Sequence, residues 1–335
     1  MMVFLHLAVF AVALLALVKF SDVVVENAAL MARKLGVGQI AIGLTIVAIG
    51  TSIPELSASI AAAIKSRPGI IVGNIVGSNA ANIGLVVAIS TLFSSVVISR
   101  RTLKRDGEIM LLASALFFAL ALNSAISKLD SLVLLAFFVA YSMFLFETSG
   151  TRKREYAYAD FVDYFLKFRY VDSLRKNVGR AMRRNAGKRK VWKELVVVAV
   201  SSIGIVVSAD YLVNELVWLA SWFGVSTEFV SLTLLAIGTS LPELSVSLRA
   251  AKKGFEKIAL GNVIGSNIAN LTLIPGIVGL INPLYLERKF TVVSIPAMLA
   301  LSALFLLLGR KGQKISKPEG IALFAAYIAF VFLSI

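Results

Sequence analysis

Two stretches decide how this chain folds: Ala48-Ile49-Gly50-Thr51-Ser52-Ile53-Pro54-Glu55-Leu56 and Ala236-Ile237-Gly238-Thr239-Ser240-Leu241-Pro242-Glu243-Leu244. They are nearly one phrase written twice, 188 residues apart. Each sets a glutamate in a long apolar segment, directly behind a Gly-Thr-Ser-x-Pro break. An ionisable side chain inside a bilayer is expensive and marks a functional site by default. Two of them in matched settings call for one explanation.

The duplication extends outward from these phrases. At a constant offset of 188, residues 44–56 match 232–244 at 10 of 13 positions, and 73–82 match 261–270 at 7 of 10. Asp22 falls on Asp210, and Gly36 on Gly224. The surrounding sequence is strongly apolar: 58% of its 335 residues are hydrophobic, and its mean hydropathy is +0.86. Apolar runs long enough to cross a bilayer recur without period-two alternation, so they read as helices. Ten spans are predicted, near 2–21, 38–63, 69–96, 107–123, 130–147, 195–221, 226–251, 257–281, 290–308 and 318–334. Residues 1–20 lack the basic flank and cleavage site of a signal peptide, so they read as the first span. Five spans per half is an odd number, so the second half enters the membrane inverted. The expected fold is an all-α integral membrane protein of ten transmembrane helices, built as two inverted five-helix repeats with broken helices at the midplane. The divisions are 1–150, a basic loop at 151–194, and 195–335.

Charge sets the orientation. The 151–194 loop carries 14 Lys/Arg against five acids, which makes it cytoplasmic by the positive-inside rule. Alternation then puts 27 of the 34 Lys/Arg inside and five outside, with both termini outside. A multi-pass protein of the cell membrane is expected. The net charge of +15 is accounted for without nucleic acid. Within the loop, Phe161, Phe165 and Phe168, then Leu174, Val178 and Met182, recur at helical spacing among basic residues. This predicts an amphipathic helix on the anionic lipid surface. There is no cysteine, which excludes disulfides and thiolate sites. No nucleotide motif, catalytic triad or metal cluster points to an enzyme. No metal role is expected for His6, the only histidine.

The local chemistry suits hard cations. Pro54 has no N–H for the carbonyl of Gly50, and Gly50 weakens the same turn. Carbonyls around 48–51 are therefore expected to need other partners, and oxygen-rich irregular backbone suits Na⁺ or Ca²⁺. Thr51, Glu55 and Ser59 share one helix face, as do Thr239, Glu243 and Ser247. Asn74, Ser78 and Asn82 form a second stripe, repeated as Asn262, Ser266 and Asn270. Folded about a pseudo-two-fold axis, the four stripes line one pocket. Its two carboxylates balance one Ca²⁺, and Na⁺ ions compete for the same oxygens. A passive channel is the alternative from another class.

The paired GTS-[IL]-PEL and GN-x-x-GSN-x-x-N segments resemble those of the cation/calcium antiporter superfamily, and within it the Na⁺/Ca²⁺ exchangers. The resemblance covers nearly the whole chain. It implies that Glu55 and Glu243 are carboxylates shared by Ca²⁺ and Na⁺, and that the carbonyls of Thr51 and Thr239 complete the Ca²⁺ site. Ser78 and Ser266, with the carbonyls of Ala48 and Ala236, would serve flanking Na⁺ sites, and Asn82 and Asn270 would line the centre. It also implies sliding of spans one and six and an electrogenic exchange of three Na⁺ per Ca²⁺, with no cofactor and a monomer as the working unit. K⁺-dependent relatives carry aspartate where this chain has Asn270, which argues against K⁺ co-transport. H⁺/Ca²⁺ exchange of the same superfamily is the second reading; those members usually carry a glutamate after Gly-Asn that is missing here.

Overall fold

The computed structural model describes residues 2–64, 66–93, 96–148, 156–173, 191–222, 238 and 240–334. Apart from four two-residue strands, its regular structure is helical. In chain order the helices are α1 (Met2–Leu35), α2 (Gln39–Thr51), α3 (Ile53–Ile64), α4 (Pro68–Phe93), α5 (Glu108–Ala121), α6 (Lys128–Thr148), α7 (Tyr158–Leu166), α8 (Trp192–Trp222), α9 (Leu241–Lys252), α10 (Glu256–Ile281), α11 (Phe290–Gly312) and α12 (Lys317–Ser334). Among the described residues, seven helices are long and apolar enough to cross a membrane. An eighth span is made if α2 and α3, bent by 44°, count as one. Two predicted spans fall short of that test for different reasons. The fourth, α5, continues a helical run from Arg100 through a π-helical turn at Leu103–Gly107, and that run opens with Arg100, Arg101, Lys104, Arg105 and Asp106. Most of the first part of the seventh lies outside the described residues, which leaves α9.

The first helix differs from its prediction. It runs 34 residues, about 50 Å at 1.5 Å per residue, where the predicted span stopped at residue 21. Its polar second half persists because other helices satisfy it. Ser21 Oγ donates to Leu17 O at 2.7 Å and sits 2.7 Å from Ser245 Oγ. Arg249 of α9 donates to both carboxylate oxygens of Asp22 at 2.6 Å. Lys253 reaches Asp22 at 3.1 Å and Glu26 at 2.6 Å. Asp210, the sequence counterpart of Asp22, instead accepts from Asn214 one turn on at 3.2 Å. An Asp22→Asn substitution is expected to cost about 1 kcal/mol, since the cluster is partly solvated. The detergent-solubilised melting temperature should fall by about 2–4 °C at low salt and by less at high salt.

Helices α1 and α8 lie along one another and share a hydrophobic cluster that includes Leu17, Val24, Val25, Val198, Ile205 and Ala209. At one end of this pair the His6 ring stacks on Trp218 with centroids 3.5 Å apart, and its Nδ1 lies 2.6 Å from Glu215 Oε2. Only 11% of the membrane-length stretch of α1 is buried, against 72% in α4 and 78% in α10. The two helices carrying the GN-x-x-GSN-x-x-N segments are therefore the interior of the molecule. Their cluster draws residues from α4, α5, α6, α10, α11 and α12 alike.

Glycines let α2 and α10 meet backbone to backbone. A Cβ on Gly261 would stand 2.7 Å from Ile40 O, and one on Gly265 would stand 2.6 Å from Leu44 O and 2.7 Å from Ala48 Cβ. Strand β1 (Val96–Val97) pairs antiparallel with β4 (Lys314–Ile315), and β2 (Ala125–Ile126) with β3 (Leu284–Tyr285). Each ribbon joins the first half of the chain to the second. The turn after α3 has Ser66 at φ +52°, and the turn after α9 has Gly254 at φ +75°, 188 residues later. Their closing bonds match: Arg67 N donates to Ala62 O at 2.9 Å, and Phe255 N donates to Ala250 O at 2.8 Å.

The basic loop departs from expectation where it is described. Phe161 of α7 is fully buried and packs edge-on against Phe137, Tyr141 and Phe144 of α6. That aromatic face belongs to the protein interior rather than to lipid. Phe168 is exposed, and the Leu174–Arg184 part of the predicted amphipathic helix lies outside the described residues.

Candidate cation site

The site grows from the bend between α2 and α3. A π-helical turn, Gly43–Val47, leads into residues 48–51. The bend falls at Ser52, with φ −83° and ψ 8°. The Ala48 carbonyl is less free than the proline suggested. Ser52 N donates to it at 3.0 Å, because Pro54 removes the N–H due to Gly50, not the one due to Ala48. Thr51 Oγ1 lies 3.2 Å and Ser266 Oγ 3.4 Å from the same carbonyl. Thr51 also donates to Asn262 Oδ1 at 3.0 Å and lies 3.3 Å from Ser266 Oγ. The first motif thus meets the second half of the chain directly.

The two glutamates are buried completely and lie within electrostatic reach of each other. Glu243 Oε1 accepts from Ser52 at 3.3 Å and from Ser266 at 3.4 Å. Glu243 Oε2 and both oxygens of Glu55 have no hydrogen-bond partner among the described residues. The same holds for Asn82 Oδ1, Ser240 Oγ and both amide atoms of Asn270. Buried polar atoms are nearly always partnered in folded proteins. Buried oxygens without partners, carboxylates among them, are of the kind that suits a hard cation. Ser78, 2% exposed, lies beside Glu55.

The asparagines at the head of each stripe act as struts. Asn74 Nδ2 donates to Glu55 O at 3.1 Å and Ser59 Oγ at 3.1 Å. Asn262 Nδ2 donates to Glu243 O at 3.4 Å and Ser247 Oγ at 3.0 Å. These bonds hold the helix behind each glutamate, and they recur at the 188-residue offset. Of the ten expected site residues, Glu55, Glu243, Thr51, Ser78, Ser266, Asn82, Asn270 and Ala48 are described, and all are buried. Ala236 and Thr239 lie outside the described residues.

Sequence reasoning passed over Ser52 and Ser240, although both repeat as faithfully as the threonines before them. Their duplication within GTS was the available signal. It also passed over Asn267, which bonds Asn82 but stands off the four-residue stripe.

The chain matches the family described as sodium/calcium exchanger protein over residues 5–147 and 193–335. It belongs to that family. It is 39% identical to the sodium/calcium exchanger MaX1 of Methanosarcina acetivorans, over 98% of each chain. It is 31% identical to the putative antiporter CaxA of Alkalimonas amylolytica, over 96% of each. Among solved structures it resembles the sodium-calcium exchanger NCX_Mj soaked with 2.5 mM Na⁺ and 0.1 mM Ca²⁺, with a TM-score of 0.78, 30% identity and 98% of each chain covered. This sodium/calcium exchanger family member is thus a multi-pass membrane transporter and not an enzyme.

Proposed function

We propose that the chain is a secondary-active antiporter that exchanges Na⁺ for Ca²⁺, both competing for Glu55 and Glu243 near the membrane midplane. One observation carries the reading: two buried carboxylates, one from each half, stand among buried oxygens without partners of their own. Two negative charges match one divalent ion, and oxygen ligands suit Ca²⁺ with its flexible coordination. Na⁺ uses the same oxygens, so the two ions exclude one another. In this reading the carbonyls of Thr51 and Thr239 complete the Ca²⁺ site. Ser78 and Ser266 serve Na⁺ with the carbonyls of Ala48 and Ala236, and Asn82 and Asn270 line the centre.

The ten-span inverted repeat is part of the same proposal. Supporting it are the matched Asn74 and Asn262 bonds, the matched turns at Ser66 and Gly254, and the two ribbons. Moving along the chain by 188 residues takes β1 onto β3 and, within one residue, β2 onto β4, so the repeat exchanges the two ribbons. Alternating access is assigned to the α1–α8 pair, which packs in a second cluster with parts of α2, α9 and α10 and touches the bend where Ser202 faces Gly50. Both termini lie outside, the 151–194 loop is cytoplasmic, and the protein works in the cell membrane as a monomer.

The test is a flux assay. Proteoliposomes loaded with Na⁺ and diluted into Na⁺-free medium should accumulate Ca²⁺, with external Na⁺ inhibiting competitively. Uptake indifferent to Na⁺ but driven by a pH gradient would replace this reading with H⁺/Ca²⁺ exchange. A steady single-channel current would replace it with a channel.

A further inference from the structure

The asparagine relay between α4 and α10 carries one inference that rests on the cation-site reading and deepens it. Asn267 is 1% exposed and bridges the two most buried helices. Its Nδ2 lies 3.4 Å from Asn79 O and 3.6 Å from Met110 Sδ. Both of these atoms can only accept. The nitrogen end of the Asn267 amide is therefore fixed toward α4 and α5, and its Oδ1 is fixed toward Asn82. Asn82 must then turn its own nitrogen to Asn267, which it does at 3.0 Å. The Asn82 oxygen is left on the opposite edge of the amide, buried and without a partner among the described residues. It shares a helix face with Ser78, which lies beside Glu55. Two acceptors, Asn79 O and Met110 Sδ, thus set the polarity of two amides in series.

The counterpart relay is not built among the described residues. Asn79 occupies the repeat position of Asn267, yet its Nδ2 donates to Ile75 O of its own helix at 2.7 Å. Asn270, the counterpart of Asn82, has neither amide atom partnered among the described residues. The backbones differ at the same point: Asn82 opens a π-helical turn, Asn82–Val87, whereas Asn270 lies within the unbroken α-helix Glu256–Ile281.

We propose that Asn267 is a positioning residue for cation binding: through Asn79 O and Met110 Sδ it holds Asn82 with its carbonyl oxygen, and not its N–H edge, presented to the cation. An amide turned the other way would remove a ligand and place a partial positive charge in its place. Among the described residues only one of the two central asparagines is held in this way, which makes the Asn82 side of the site the fixed oxygen ligand.

The experiment is a double-mutant cycle on purified full-length protein, read by equilibrium ⁴⁵Ca²⁺ binding and by Na⁺-driven uptake. Asn267→Leu keeps the branched heavy-atom skeleton and removes the hydrogen bonds. It should weaken Ca²⁺ binding by about 10–100-fold, the range for losing a group that orients a metal ligand, with the maximal uptake rate within about threefold of wild type. Asn82→Ala removes the amide itself and leaves no polarity to set. Adding Asn267→Leu to Asn82→Ala should therefore change the Ca²⁺ affinity by less than about threefold, near the limit for uncoupled sites. Equal losses in both backgrounds, or a fall in maximal rate without a change in affinity, would overturn the proposal and leave Asn267 as packing between α4 and α10. Asn267→Ala is carried through the same cycle, so the comparison stands if the leucine variant does not yield monodisperse protein. A wild-type protein that binds no Ca²⁺ would overturn the cation-site reading itself; normal Ca²⁺ binding with an additive cycle would overturn only the relay.

Discussion

The Glu243→Gln substitution is expected to lower Na⁺-driven Ca²⁺ uptake by at least about 100-fold, since stranding one partner of a buried charge pair costs about 3–5 kcal/mol and each 1.4 kcal/mol is tenfold. The change is nearly isosteric. Ser52 and Ser266 can still donate to an amide oxygen at position 243, so the packing around a fully buried side chain is kept. What goes is one of two negative charges and one of the acceptors without a partner. A divalent ion loses half its countercharge, and an N–H edge replaces a ligand. Glu55→Gln should behave alike, because neither Glu55 oxygen has another partner among the described residues. Both variants should purify as wild type does, and their melting temperatures in ion-free buffer should not fall, since two neighbouring buried carboxylates repel. Uptake above about a tenth of wild type in either variant would contradict a site shared by both glutamates.

The second large effect is expected at Gly265. A Cβ there would stand 2.6 Å from Leu44 O and 2.7 Å from Ala48 Cβ. Both neighbours belong to the helix that carries the first motif, and neither is the far end of a flexible side chain. Gly265→Val must drive α2 away from α10, at or above the about 1–3 kcal/mol usual for overpacking. The displacement falls on the neighbour of Ser266, whose hydroxyl touches both Ala48 O and Glu243. Purified yield and ion-free melting temperature should therefore drop together, and uptake by whatever protein remains should fall by more than about tenfold. Gly38→Ala is the control: its Cβ would meet only Ile40 Cγ2, at 3.8 Å, and transport should stay near wild type. A Gly265→Val protein with normal stability and flux would mean that the two helices do not touch as described.

Much of this was legible in the residues before any coordinates. Period, length and apolarity found the long helices, because a helix inside a bilayer must be apolar on most of its surface. Duplication picked out the glutamates and the Asn/Ser stripes, because a pattern that pays no heed to packing economy has to serve chemistry. The rest depended on partners distant in sequence. Nothing near residue 22 says that Arg249 will hold Asp22, so α1 was read as ending where its polar half begins. Nothing near Phe161 says that Phe137 and Phe144 will cover it, so its face was read as meeting lipid. Spacing of four found Asn82 but not Asn267, which reaches the same amide from another helix. The proline marked the bend correctly, but a helix counts its hydrogen bonds four residues back, and that arithmetic left the Ala48 carbonyl engaged.

The shared interior has a consequence for biosynthesis. The larger apolar cluster takes residues from both halves of the chain, and each ribbon needs one strand from each half. The first five predicted spans leave the ribosome before any of those partners exist. Until α10 arrives, Gly43 has no Gly261 to close against, and the edges of β1 and β2 are bare. The repeat is thus a unit of sequence and not of assembly. Half a molecule leaves that interior open on one side, and the last helices synthesised are what close it.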